Sequence, residues 1–187
     1  MSITNSSSAR RAGFKVNNAS IKKAAAIAMA KMGTRTLRVA LPCQAWHLAN
    51  NASFEAKEIF TVISMSDAGV DDIYVSFRLP AEYDSGDLTV VILWSSVSVT
   101  GAAKFSVDFA SKAASATTAS ENTQTVTTTV SATANKINES AVVFASSLIT
   151  AGDLVGIHIN RTPADAADTL GAEATISGIF VEFTGRG

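Results

Sequence analysis

The chain has 187 residues, one cysteine (Cys43), and 15 basic against 16 acidic side chains, enough for one sizeable core and for no intrachain disulfide. No apolar run approaches the roughly 20 residues that cross a bilayer as a helix, and the N-terminus lacks the apolar core and cleavage site of a secretory signal, so neither a membrane nor a leader is expected. The small net charge conceals a split: Arg10, Arg11, Lys15, Lys22, Lys23, Lys31, Arg35 and Arg38 all precede Glu55, and no acidic residue does.

Residues 1–17, rich in Ser and Asn and without a hydrophobic period, read as an extended arm. Ser20 is a candidate N-cap and Gly33 a candidate C-terminal cap, and the Ala-rich stretch between them predicts a short helix. Its narrow apolar stripe, Ile21, Ala25, Ala28 and Met32, is too small to hold a dozen-residue helix alone. Residues 1–33 are therefore expected to be an attachment segment. Arg10, Arg11, Lys15, Lys22 and Lys23 supply charge for an acidic protein surface, or for a nucleic acid as the alternative, and the stripe supplies the docking face.

From residue 34 to 187 the pattern is that of strands and turns. Thr34–Leu41 alternates and stops at Pro42, and Gln44–Ser53 is a polar connection anchored by Trp46. Phe54–Met65 combines a first half that suits a helical turn with a β-rich second half, Ile59–Met65. Asp71–Trp94 carries the strongest signal. Ile73, Val75, Phe77 and Leu79 alternate with polar residues, Pro80 ends the run, and the Glu82–Asp87 corner includes Gly86, which is free to take positive φ. Leu88, Val90, Ile92 and Trp94 then form one apolar face, with Thr89, Val91 and Leu93 on an opposite face that is also largely apolar. The two runs are expected to form a hairpin at the centre of the domain. A loop breaks at Gly101, and Phe105, Val107 and Phe109 follow as a core strand. Ala110–Thr123 reads as the longest loop and Gln124–Ala134 as an exposed strand. Ser140–Ser146, Leu154–Arg161 and Ala174–Thr184 complete about eight strands, which predicts an all-β chain folded as an antiparallel β-sandwich of the jelly-roll kind.

Chemistry-bearing residues are sparse. Asp165 and Asp168, with Asp153 or Glu173, invite a cation, but two carboxylates fall short of the six or more oxygens that calcium takes. Pairing of Asp165 or Asp168 with Arg161, pinning the loop before the last strand, is the better expectation. His47 and His158 lie in unrelated segments without zinc-ligand spacing, and His158 is out of phase with the core. Glu82, Asp84 and Asp87 are expected to serve the turn rather than to form a glycosidase pair. No nucleophile–base motif, phosphate loop or dinucleotide fingerprint occurs, so no catalytic site, metal or cofactor is expected. Trp46, Tyr74, Tyr83 and Trp94 raise the possibility of a sugar platform, although Trp94 is in phase with the core.

Two segments carry a resemblance. The corner Leu79, Pro80, Tyr83 and Gly86 before the strand ending in Trp94, together with the later Ala151, Gly152, Asp153, Arg161, Asp165, Asp168, Thr169 and Ala172, resembles jelly-roll proteins of tailed bacteriophages. The resemblance spans about residues 73–183. It implies a non-enzymatic virion structural protein, such as a capsid decoration, head fibre or tail-fibre module. Its partners would be a major capsid or tail protein and further copies of itself, a trimer first. The alternatives are a coat protein whose arm contacts nucleic acid, and a carbohydrate-binding, receptor-recognising module.

Overall fold

The structure, a computed structural model, describes residues 33–42, 45–114, 116–117 and 119–186. The expected arm and helix, with Arg10, Arg11, Lys15, Ile21, Lys22, Lys23, Ala25, Ala28 and Met32, lie outside the described residues.

The described chain runs through eleven strands: β1 (Thr34–Leu41), β2 (His47–Asn50), β3 (Ser53–Lys57), β4 (Phe60–Met65), β5 (Asp71–Arg78), β6 (Tyr83–Ser95), β7 (Ala102–Lys112), β8 (Ser120–Thr129), β9 (Asn138–Phe144), β10 (Leu154–Arg161) and β11 (Ala174–Arg186). They make two antiparallel sheets that face each other, a β-sandwich of the jelly-roll kind. Sheet A has the order β3-β4-β11-β6-β9. The long β11 pairs with β4 through Ala174–Ile176 and with β1 through Ile179–Arg186 along the same edge. Sheet B has the order β2-β5-β10-β7-β8.

The period-two alternation is cashed out as burial. Ile73, Leu88, Val90, Ile92, Trp94, Phe105, Val107, Val155, Ile159 and Val181 are wholly buried between the sheets, while Phe77 packs on the core from its margin. Trp94 meets Phe105 of the opposite sheet edge-on at 5.7 Å, and its indole N–H donates to Ser140 Oγ at 2.9 Å. Ser140 Oγ in turn donates to Thr128 Oγ1 at 2.7 Å, which ties the β8 and β9 edges of the two sheets together.

Four expectations are corrected. β5 and β6 are not a hairpin: β5 belongs to sheet B and β6 to sheet A. Alternation marks which side chains face the core, and it is the same whether two consecutive strands share a sheet or face each other across it. The corner between them is tight, with Tyr83 N donating to Pro80 O. Gly86 does take positive φ (93°), but inside β6, where the register with β11 slips. The Phe54–Lys57 half-segment forms β3 rather than a helical turn. It pairs residue for residue with β4 around a two-residue turn in which Glu58 adopts φ 56°. The polar connection after Trp46 contains β2, which lies along the edge of β5. The loop expected over Ala110–Thr123 contracts to residues 113–119, because pairing carries β7 and β8 to Ser111 and Ser120.

One close approach fixes the end of the β7 loop. A Cβ added at Gly101, whose φ is 92°, would fall 2.2 Å from the Thr169 carbonyl oxygen, so only glycine is tolerated there. The core gives a direct prediction. Trp94→Ala should lower stability by about 3–5 kcal/mol through lost burial and the cavity left behind, read as a fall in the denaturant midpoint. An unchanged midpoint would place the ring outside the core.

Candidate functional site

Arg161, Asp165 and Asp168 were expected to pin the last long loop, and the structure divides them between two pairs. Arg161, at the end of β10, has no exposed surface. Its Nε donates to Asp168 Oδ2 at 2.9 Å and its Nη2 to Asp168 Oδ1 at 3.1 Å, a two-point grip on a carboxylate that is itself buried. Its Nη1 donates to the carbonyls of Met65 and Ser66, both at 3.1 Å. Asp168 also accepts the backbone N–H of Lys104 at 3.1 Å. Asp165 instead takes Lys104 Nζ at 2.5 Å, and this contact, with the Ala167 amide, holds its carboxyl below the usual range. The cation set does not assemble. Asp153 lies at the opposite end of β10, bonded to Ser111 Oγ, and Glu173 pairs with Lys57. Among the described residues, no three of His, Cys, Asp and Glu converge for a metal.

A second buried carboxylate lies beside this grip. Asp71 is the cross-strand partner of Arg161 and has no exposed surface, and among the described residues no donor meets either of its oxygens in full hydrogen-bond geometry. Burial pushes its carboxyl up to about 6, against weaker pulls from the Ser66 backbone and the Arg161 charge.

The polar surface with the form of a site is the outer face of sheet B. Registers place its outward side chains in rows across the strands. One row is His47 (β2), Tyr74 (β5), His158 (β10), Asp108 (β7) and Thr123 (β8). On one side of it lies Ser76–Gly156–Ala110, and on the other Asp72–Asn160–Ser106–Thr125. The central row is tightly bonded. His158 Nδ1 lies 2.7 Å from Asp108 Oδ2 and Nε2 2.7 Å from Asp72 Oδ1, so each ring nitrogen faces a carboxylate. Thr123 Oγ1 donates to Asp108 Oδ1 at 2.6 Å. Asp72 also accepts from Asn160 Nδ2 at 2.7 Å and from Asn50 Nδ2. Partial burial works against its ionisation and is outweighed by these donors, which keep its carboxyl below the usual range. The Tyr74 ring stacks on the His158 ring at 4.2 Å, nearly parallel. Partial desolvation and then the charges of Asp72 and Asp108 raise its hydroxyl pKa.

Next to this row the surface sinks into a cavity of about 490 Å³ lined by Tyr74, Ser76, Asp108, Ala110, Glu121, Thr123, Gly156 and His158, among others. A smaller one of about 260 Å³ continues along the same face between Lys104, Ser106, Thr125, Asn160, Thr162 and Asp165. At about 6.5–7 Å between alternate residues of a strand, the two span about 20 Å. The groove bears acceptors, donors and one aromatic edge.

His158, Asp72, Asp108 and Tyr74 escaped the sequence reading as a group. Tyr74 was visible as a candidate platform aromatic and His158 as an unpaired histidine out of phase with the core, Asp72 and Asp108 carried no signal, and only cross-strand register brings the four together. His47 and His158, in distant segments, come to stand on either side of Tyr74. The sugar-platform aromatics do not assemble. Trp46, Tyr83 and Trp94 are buried, and Tyr74 alone is exposed, at 40%. Glu82, Asp84 and Asp87 make no pair: Asp84 binds Arg186, and Asp87 caps the Ser146 amide.

No protein-family model and no curated protein sequence matches the chain. Solved structures share its fold. Part of an isomalto-dextranase from Arthrobacter globiformis T6, complexed with panose, superposes with a TM-score of 0.51 at 16% identity, over 78% of this chain and 23% of that one. A family 35 carbohydrate-binding module from Clostridium thermocellum gives 0.49 at 12% identity, over 78% of this chain and 97% of the module. The enzymatically active domain of tailspike protein 4 of bacteriophage CBA120 gives 0.38 at 8% identity, over 79% and 19%.

The buried Asp71 makes stability depend on pH with a definite sign. Its carboxyl titrates near 6 when folded and near 3.9 when unfolded. Between those values the folded state binds the extra proton, so stability falls as pH rises from about 4 to about 6 and stays lower above. Asp71→Asn should raise the melting temperature at pH 7–8, by the equivalent of up to about 3 kcal/mol, and flatten that window. A variant less stable at pH 8 than at pH 4 by as much as the wild type would assign the dependence to another group.

Proposed function

We propose that the chain is a non-catalytic carbohydrate-binding module whose ligand lies across the outer face of sheet B. The observation that carries this reading is the groove on β5, β10, β7 and β8: its Asp72–His158–Asp108–Thr123 chain is already bonded, and its floor is Gly156 and Ala110. A sugar presents hydroxyls that donate and accept, over an apolar ring edge. A face whose polar side chains are ordered before binding loses little further entropy when it meets that pattern. Tyr74 stands on edge, one face against His158, so recognition here rests on hydrogen bonds more than on ring stacking. The fold shared with part of an enzyme complexed with panose supports the reading.

A panel of immobilised plant, bacterial and animal glycans, probed with the labelled full chain, is the test. The chain should be retained by a subset, and Asp108→Ala, which frees Thr123 and one nitrogen of His158, should weaken retention at least about tenfold. Retention by no glycan contradicts the reading.

A second reading, favoured by the exclusively basic stretch before Glu55, sets this module on a virus particle, held by residues 1–33 against an acidic capsid or tail protein or a neighbouring copy. It is compatible with the first, as a receptor-recognising appendage. In that case charge reversal at Arg10, Arg11, Lys22 and Lys23 in the full chain should reduce occupancy on particles lacking the protein and make the residual binding more salt-sensitive. Undiminished occupancy would move attachment to the sandwich, and binding of the isolated arm to nucleic acid would favour the coat-protein alternative.

A further inference from the structure

The depression over Gly156 has a composition that selects among sugars. Its floor is the row Ser76–Gly156–Ala110, three small residues side by side on adjacent strands. One flank is the Tyr74–His158–Asp108–Thr123 row, and Glu121 of the edge strand closes another side. Among the described residues, no lysine or arginine lines it. Lys104 pairs with Asp165, and Arg78 and Lys112 belong to the adjoining Arg78–Leu154–Lys112 row, where Arg78 Nε donates to the Gly152 carbonyl and neither side chain lines the depression. The one cationic candidate within, His158, already spends both nitrogens on Asp72 and Asp108. Glu121 is exposed. The described lining thus carries more negative than positive charge in either protonation state of His158.

Carboxylates are acceptors only, and they pair with the hydroxyl donors of a neutral sugar. A sugar carboxylate placed here would meet Asp108 and Glu121 within the lining, whereas the charges of Arg78 and Lys112 stand in the next row, outside it. Resting on the reading of this face as a carbohydrate site, we infer that the Gly156 depression is the subsite for one neutral pyranose ring and rejects uronates and sialylated sugars. Gly156 makes the space. A Cβ there would sit 3.9 Å from Ser76 Oγ and 4.0 Å from Ala110 Cβ, ordinary contacts, and its φ lies outside the left-handed region. A side chain at 156 therefore fills the depression without straining β10, where a β-branched residue suits a strand better than glycine does.

The test uses the full chain on an array that carries neutral oligosaccharides beside carboxylated versions of the same chains. Neutral forms should bind at least about tenfold more tightly than their carboxylated counterparts, and Glu121→Gln should narrow that ratio. Gly156→Val should lose binding about tenfold or more while its thermal melt stays at or above that of the wild type. Equal or tighter binding of carboxylated forms overturns the inferred selectivity. Wild-type affinity in Gly156→Val overturns the subsite and leaves the module a sugar binder at another place. Binding of no sugar at all overturns the carbohydrate reading and this inference with it.

Discussion

Arg161 carries a charge into the buried interior, and three parts of the chain must meet to keep it there. The end of β10 supplies the guanidinium, the loop before β11 supplies Asp168, and the close of β4 supplies the Met65 and Ser66 carbonyls. β10 belongs to sheet B, whereas β4 and β11 belong to sheet A. The guanidinium is thus a clamp between the sheets through the Met65 carbonyl, as well as a loop anchor through Asp168. A buried pair of this kind need not add net stability over an apolar substitute, yet removing one partner typically costs about 3–5 kcal/mol, because the other is left charged and unpaired. Asp71 shows the same physics unresolved: a carboxyl in the same cluster that no donor among the described residues meets in full hydrogen-bond geometry, whose neutral form is favoured to about pH 6.

The clamp matters for the groove because one strand serves both. β10 sends Val155, Ile157 and Ile159 into the core and holds Arg161 at its end, while Gly156, His158 and Asn160 face outward on the alternate positions. Anchoring the inward side fixes the height and register of the outward one. β5 and β7 flank β10 along its whole length, so Asp72 and Asp108 reach His158 from opposite sides. The ordered row is a consequence of register, and the depression beside it is a consequence of three small residues meeting in the next row.

Much of the sandwich could be read from the chain, and the reason is local. Alternation in Ile73–Leu79, Leu88–Trp94, Phe105–Phe109 and Val155–Ile159 reports burial directly: in each run the alternate apolar residues, such as Leu88, Val90, Ile92 and Trp94, face the core or its margin. The failures share a cause. β3 contains Glu55, Ala56 and Lys57, helix formers by propensity, and becomes a strand only because β4 lies beside it. β2 is four residues long with no β-branched side chain, and pairing with β5 makes it a strand. The separation of β5 from β6 into different sheets leaves no local trace, since both arrangements bury the same residues. The Arg161–Asp168 pair was anticipated from proximity in sequence, seven residues apart. The His158 row was not, because its members come from β5, β7, β8 and β10 and nothing within any one strand marks them.

The central claim is that a ligand is held on the outer face of sheet B, at the row ordered by His158. Amide chemical shifts of the ¹⁵N-labelled full chain, titrated with the neutral oligosaccharide that binds best, address it most directly. The account predicts that the largest, saturable shifts fall on Ser76, Asp108, Ala110, Thr123, Gly156 and His158. Shifts that instead concentrate on β1, β4 and the outer face of β11, with sheet B unmoved, would contradict it.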